Sequence, residues 1–276
     1  MIPAALVAPL ALLGCTTIYN PATQRQETVL STSVESVLGT IARAQMGLGS
    51  LKVGRVDPDQ FERVQRIGQR IARVSDRQDL IYQFGVIRGK ELNAFTLPGG
   101  TLYVYTGILE MADDDELAAV LGHEMGHAAA RHVAKHLQAD LGFTLLLEAA
   151  SAAGASPESG KLVHSLYDLF SRGFSRQDEL EADRLSLRYT SRAGFNPEGL
   201  IRFFEKMRKE HPEGPMEKGM VWQSTHPLTS DRIEQAKKEM ARLQSQSAKF
   251  CPTCGREYES KTKFCPQDGT SLKEKK

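Results

Sequence analysis

After Asp113 the apolar residues Leu117, Val120, Leu121 and Met125 fall at helical spacing, which predicts a helix with one face turned inward. Asp113, Asp114 and Asp115 stand at its start, where they can cap the first turn and place negative charge at the N-terminal end. Upstream the pattern changes. Residues 80–88, 91–97 and 101–106 are rich in β-branched and aromatic side chains, and Pro98-Gly99-Gly100 separates the second run from the third. These features predict a small antiparallel sheet. Further on, Gln177 to Asp183 reads as the start of a second helix, Thr229-Ser230-Asp231 starts another, and residues 151–160 and 211–219 read as small or polar loops. The fold class is therefore α+β, mostly helical with one small sheet.

The two ends have a different texture. Met1 to Leu13 is apolar and runs into Leu12-Leu13-Gly14-Cys15, an outline that resembles the lipobox at which a bacterial lipoprotein signal is cut before a cysteine. The stretch lacks the Lys or Arg that normally opens such a signal, so a misassigned start or an ordinary apolar N-terminus in a cytoplasmic protein stays open. Residues 1–14 are thus expected as a signal, 15–40 as a polar tether carrying a lipid on Cys15, 41–247 as the main domain and 248–276 as a separate tail. In that tail Cys251-Pro252-Thr253-Cys254-Gly255 is echoed by Cys265-Pro266-Gln267-Asp268-Gly269. The outline resembles a zinc ribbon with Asp268 in place of a fourth thiolate, while a degenerate knuckle or redox pair is the competing reading.

Composition narrows the function classes. With 276 residues, 41% hydrophobic, and a net charge of +1, the chain can bury a core and has no basic field of the kind that nucleic-acid binding requires. No apolar run approaches the roughly 18 residues that span a bilayer. Leu141 to Ala153 comes nearest but carries Glu148, and reads as a buried helix or an amphipathic surface contact.

The chemistry centres on His123-Glu124-Met125-Gly126-His127. On a helix the histidines at i and i+4 share one face and can hold one metal ion. Glu124 lies about 100° round, outside the coordination shell but within reach of the attacking water as general base. Gly122 and Gly126 would let another element approach this face closely. His132 and His136 fall off that face if the helix continues straight, so they are expected to be surface or packing residues. Two histidines need a third ligand. The metzincin spacing is absent, because its glycine and histidine positions are Ala130 and Val133. Glu179 and Asp183 share a helical face, so the first can bind metal while the second orients a ligand histidine; Glu181 points elsewhere.

Together with Asn93-Ala94-Phe95-Thr96-Leu97-Pro98-Gly99-Gly100, Asp115-Glu116-Leu117-Ala118 and Thr225-His226-Pro227 followed by Arg232, these residues resemble the zinc peptidases typified by the CAAX prenyl proteases and HtpX. The resemblance covers roughly residues 55 to 240 and is nearest to the periplasmic lipoprotein branch of the BepA kind. It implies a zincin domain with His123, His127 and Glu179 as zinc ligands, Glu124 as base, Asp183 in support, and His226 with Arg232 near the site. His226 could stabilise the oxyanion or occupy the fourth zinc position as a self-inhibiting ligand, and Arg232 could fix an acidic or carbonyl partner.

A strand through Asn93, Ala94 and Phe95 at a sheet edge could bind an extended peptide substrate by main-chain hydrogen bonds, with the Asn93 amide adding a contact. A core hairpin with Asn93 in a turn is the alternative. The expectation is a zinc endopeptidase acting on misfolded or membrane-associated envelope proteins, held by Cys15 at the periplasmic face of the outer membrane. The competing class is a non-catalytic chaperone or assembly scaffold, against which Glu124 argues because binding alone needs no general base.

Overall fold

The computed structural model describes residues 15–20, 22–151, 157–210, 226–227, 230–245, 249–255, 257–258, 262–265 and 267–274. The chain opens with an antiparallel hairpin, β1 (Cys15–Asn20) and β2 (Arg25–Leu30), in which Cys15 pairs with Leu30. Helix α1 (Thr32–Gln45) follows, then the short β3 (Lys52–Val53) and α2 (Pro58–Ala72). Asp57 caps α2 and Pro58 opens it, while Val64, Ile67, Gly68 and Ile71 form its buried stripe.

Strands β4 (Gln83–Ile87), β5 (Ala94–Thr96) and β6 (Thr101–Tyr105) join β3 in a sheet of order β3-β4-β6-β5. The sheet is small, as expected, but mixed. Only the β5–β6 pair is antiparallel; β3–β4 and β4–β6 run parallel. The reason lies in the segment between Ile87 and Ala94, which passes under the sheet end, where Thr106 Oγ1 bonds both the N–H and the C=O of Gly89. That detour seats β5 on the far side of β6 and leaves it at an edge.

The helices then run in sequence. They are α3 (Thr106–Met111), α4 (Asp114–Ala129), α5 (His132–Ser151), α6 (Pro157–Arg172), α7 (Arg176–Arg192), α8 (Gly199–Glu210) and α9 (Ser230–Ser245). Asp113 and Glu116 close a capping box at the start of α4. Every residue of α4 from Glu116 to Ala129 is buried, a centre-of-domain helix wrapped by α2, α7, α8 and β5. Helix α5 kinks at Gly142, whose φ is 70°. The partly buried Leu141 before the kink and the buried Leu146 after it join a second core cluster with α1, β6 and α6, while Glu148 is exposed; residues 152–156 lie outside the described set, as do 1–14 and 211–225. No described helix is long and apolar enough to cross a membrane. Three two-residue strands, β7 (Lys249–Phe250), β8 (Glu257–Tyr258) and β9 (Lys273–Glu274), close the tail in the order β8-β7-β9.

Residues 15–40 are not a tether. The polar residues that suggest one are spent on buried pairs. Asn20 Nδ2 donates to the carbonyl of Ala129 at the end of α4 (3.2 Å), and Arg131 Nη1 donates to the carbonyl of Leu30 (3.0 Å). Glu35 on α1 is buried between two guanidinium groups, pairing with Arg131 and, at 3.3 Å, with Arg77. At Gly39 a Cβ would stand 1.9 Å from the carbonyl oxygen of Pro98, so α1 lies directly on the turn between β5 and β6. Because removing one member of a buried ion pair strands the other charge, Glu35→Ala is expected to cost about 3 kcal/mol. Chemical denaturation of the two proteins would measure it, and a change under about 0.5 kcal/mol, the range of ordinary surface substitutions, would show the cluster to be dispensable.

Candidate metal centre

Helix α4 turns His123, Glu124 and His127 toward α7, and the two helices touch more extensively than any other pair. The contact depends on glycine. A Cβ on Gly126 would meet the carbonyl oxygen of Ala182 at 2.9 Å and its Cα at 3.0 Å, and one on Gly122 would meet Ser186 Oγ at 3.1 Å. Ser186 Oγ fills the gap with a 2.7 Å bond to the carbonyl of Ala119. This approach brings Glu179, in the first turn of α7, onto the two histidines. The Nε2 atoms of His123 and His127 are 3.0 Å apart, and Glu179 lies 3.5 Å from the first and 3.3 Å from the second.

His226 completes the group. Its Nδ1 is 3.2 Å from His123 Nε2 and 2.8 Å from Glu179 Oε1, and its Nε2 is 3.4 Å from Glu124 Oε1. One donor atom from each of His123, His127, Glu179 and His226 lies within 4.8 Å of every other, and all four residues are buried. A tetrahedral ion with ligands at 2.0 to 2.1 Å separates its donors by about 3.3 Å, so the observed spacings fit zinc. The chemistry agrees: both oxygens of Glu124 are buried without a hydrogen-bond partner among the described residues, an arrangement that is costly unless water or an ion engages it.

The surrounding charges set each group's state. Asp183 Oδ1 pairs with His123 Nδ1 at 2.9 Å. Arg232, at the start of α9 and almost fully buried, forks onto Asp183 at 2.7 and 2.8 Å and reaches Glu179 Oε2 at 2.6 Å. Arg232 therefore meets both kinds of partner expected for it, the acidic pair on α7 and, at 3.2 Å each, the carbonyls of His226 and Pro227. Burial works against ionisation of Glu179, yet His226, Arg232 and His123 outweigh it and hold the carboxyl well below the usual range. Burial, with the Glu179 charge added to it, pushes Glu124 up against the pull of His226 and His123, and burial, with His123 and His132 added to it, holds His127 well down against Glu179. For His123 burial is outweighed by Asp183 and Glu179, which raise it to about 9; metal binding must release that proton.

Two neighbours escaped the sequence reading. His132 is buried with its Nδ1 2.9 Å from Nδ1 of His127, and its Nε2 is 3.3 Å from Glu181 and from Asp178. It was expected off the site because α4 was extended straight through it. The helix instead ends at Ala129, and Arg131, at φ 61°, turns the chain back so that His132 meets His127 from behind. Glu181, expected to point elsewhere, is reached through His132. His136 follows expectation, pairing with Asp140 at 3.0 Å. The other neighbour is Phe174, in the turn before α7, which stacks on His127 with ring centroids 3.9 Å apart and faces His226 at 5.6 Å. Only spatial folding brings it there, so no sequence spacing could have revealed it.

Strand β5 is the sheet edge and packs on α4. Asn93, just before it, is buried, with Oδ1 unpartnered among the described residues and its carbonyl bonded to Tyr105 N. Ala94 and Phe95 offer backbone only, since the Phe95 ring is stacked on Tyr103 in the core.

The tail forms a second donor group, in which Cys251, Cys254, Cys265 and Asp268 each place one ligand atom within 4.8 Å of the others. The sulfurs of Cys254 and Cys265 are 3.8 Å apart and Cys251 Sγ is 3.4 Å from Asp268 Oδ2. A tetrahedral zinc thiolate site separates its sulfurs by about 3.8 Å. The two knuckles are copies of one turn. Gly255 N bonds the carbonyl of Cys251 and Gly269 N that of Cys265, each at 2.9 Å and each glycine at φ 70°. Cys15 is far from this group in sequence and sits at the start of β1.

The fold and the four-donor centre are those of an HExxH metallopeptidase. Residues 58–240 match peptidase family M48, and the chain belongs to that family. It is 39% identical over 172 residues to mitochondrial metalloendopeptidase OMA1 of Schizosaccharomyces pombe, covering 62% of this chain and 50% of that protein. Metalloprotease LoiP of Escherichia coli is 34% identical over 165 residues, 57% of this chain and 62% of LoiP. The beta-barrel assembly-enhancing protease of the same organism is 28% identical over 195 residues, 66% of this chain and 39% of the relative. The chain thus spans about half the length of the curated relatives it matches.

Because the site depends on how closely α7 approaches, Gly126→Ala is expected to push the Ala182 backbone outward, costing about 1 to 3 kcal/mol, and to weaken metal binding by carrying Glu179 away. Unfolding and zinc titration of the variant test both. Wild-type zinc affinity in the alanine variant would mean that the site tolerates a wider helix spacing.

Proposed function

We propose that the protein is a zinc-dependent endopeptidase in which His123, His127 and Glu179 hold the metal and Glu124 is the general base. One observation carries this reading: the three nitrogens and one carboxylate oxygen converge beside Glu124, a buried carboxylate with no hydrogen-bond partner among the described residues. Zinc bound there would supply Lewis acidity, lowering the pKa of the attacking water towards neutrality. Glu124 takes the proton of the attacking water and returns it to the leaving amine, and the upward push of burial brings its basicity nearer the proton it must take. Asp183 holds His123 so that Nε2 presents its lone pair, and Arg232 holds Asp183 and the outer oxygen of Glu179. His226 stands where a fourth ligand would, which favours the self-inhibiting role over that of an oxyanion donor. The edge at β5 and the Asn93 amide receive the peptide backbone.

Glu124→Gln is expected to keep zinc and lose proteolysis, whereas His123→Ala, His127→Ala or Glu179→Ala lose both; turnover surviving in the Glu124 variant would overturn the mechanism. His226→Ala is expected to raise basal cleavage. A loss of about a hundredfold would instead assign it to the oxyanion, and an unchanged rate would remove it from the site.

The substrate class we propose is misfolded or membrane-associated envelope protein, because the relatives include a protease whose name ties it to β-barrel assembly. We place the chain at the periplasmic face of the outer membrane through a lipid on Cys15, since Thr16 and not Asp follows that cysteine. Two or more acyl chains at about 0.8 kcal/mol per buried methylene make such an anchor firm. Fragments released from an outer-membrane extract by the wild type but not by Glu124→Gln would identify the substrates. Cys15→Ser is expected to leave the membrane fraction, and an intact mass corresponding to an unmodified chain from Met1 would overturn the anchor.

The tail is a second, structural zinc site held by Cys251, Cys254, Cys265 and Asp268. Among the described residues its buried apolar side chains form one small cluster of Cys251, Cys265 and Leu272, too little to order it without a metal, and the hydrogen bonds from Thr270 hold the Asp268 carboxyl down at about 2, ready as a ligand. Truncation before Lys249 is expected to lower the zinc count from two to one while leaving cleavage of a small unstructured peptide intact. A full-length protein with one zinc and a Cys251–Cys254 disulfide would refute the site.

A further inference from the structure

Ligand His127 has no carboxylate behind it. Its partner ligand His123 does: Asp183 Oδ1 stands 2.9 Å from His123 Nδ1. Behind His127 stands a second imidazole, with Nδ1 of His132 at 2.9 Å from Nδ1 of His127, and behind that two carboxylates, Glu181 and Asp178, each 3.3 Å from His132 Nε2. The rings of His127 and His132 meet edge to face at 71°, and Phe174 stacks on His127 with centroids 3.9 Å apart.

We infer that His132 is a positioning residue for the metal, fixing the tautomer and ring plane of His127 and relaying to it the negative charge of Glu181 and Asp178. The inference rests on the zinc reading of His127 and goes beyond it. If Nε2 of His127 gives its lone pair to the metal, the ring's one proton must sit on Nδ1. The only atom within hydrogen-bond distance of that proton among those described is Nδ1 of His132, which must then be bare. His132 therefore carries its proton on Nε2, and that proton points at Glu181 and Asp178. Each step leaves one choice, so a single proton arrangement runs from the buried ligand to carboxylates that reach the surface: the side chain of Glu181 is 22% exposed and that of Asp178 36%. Such outer partners raise the basicity of a ligand and lock its orientation. The arrangement also explains why His132 is almost fully buried with both ring nitrogens engaged, which a packing residue does not require.

The experiment measures zinc affinity by competition with a chelator in the full-length protein, alongside the melting temperature of the zinc-free form. His132→Leu is expected to weaken binding about 10 to 100-fold, with little change in the zinc-free melting temperature. His132→Asn places an amide oxygen near the Nδ1 position and is expected to restore affinity to within about threefold of wild type, a rescue that simple packing would not produce. Glu181→Ala combined with Asp178→Ala should weaken binding in the same direction. Should the leucine variant fail to fold, nitrogen-15 spectra of the wild-type zinc form decide: His132 protonated on Nε2 alone supports the relay. Protonation on Nδ1, or wild-type affinity in His132→Leu, overturns it. A wild type that binds no zinc at the first site would instead refute the metal reading on which the relay stands.

Discussion

The distance between α4 and α7 governs this molecule's chemistry. Neither helix holds a complete site: α4 brings two imidazoles and a base, α7 brings one ligand carboxylate and its supporting aspartate. They become one centre because Gly122 and Gly126 present no side chain where Ala182 and Ser186 pass. A helix centre containing two glycines is intrinsically weak, by roughly 1 kcal/mol for each relative to alanine. The burial of α4 on all sides offsets that weakness, so close approach is obtained where tertiary packing is densest.

The second constraint is charge. Glu124, Glu179, Asp183 and Arg232 are all buried within one layer with three histidines, a concentration that would be costly if any member were isolated. Arg232 joins the carboxylates of both α7 residues to the segment carrying His226, donating to the carbonyls of His226 and Pro227 at 3.2 Å. One guanidinium thereby ties the third ligand, the support of the first, and the backbone of the fourth donor.

What could be read in the sequence was what depends on local periodicity. The pairs His123/His127 and Glu179/Asp183 are both i and i+4, so a helix places them correctly whatever surrounds it, and the Asp113 cap is equally local. The edge position of β5 was expected, but the parallel pairing of β4 with β6 was not, because it depends on a detour around Gly89 that no propensity encodes. Residues 15–40 were misread because polar composition describes solvent exposure on average, and here Asn20 and Glu35 face buried partners from residues more than forty positions away. His132 was missed for a narrower reason: a single left-handed residue, Arg131, ends one helix and resets the direction of the next. His226 was legible only by resemblance, since a histidine in a loop has no period to place it.

The orientation of the two central helices has an electrical consequence. His127 lies in the last turn of α4 and Glu179 in the first turn of α7, so the imidazole occupies the negative end of one macrodipole and the carboxylate the positive end of another. Each placement is worth about 0.3 to 1 kcal/mol when exposed and more when partly buried. The backbone thus contributes a field of its own at the point where the donors meet, electron-rich carbonyl ends beside the nitrogens that give lone pairs and N–H ends beside the oxygen that must stay ionised. Substituting a ligand side chain leaves that field in place, so the pocket keeps a bias set by peptide groups that the ligand side chains do not supply.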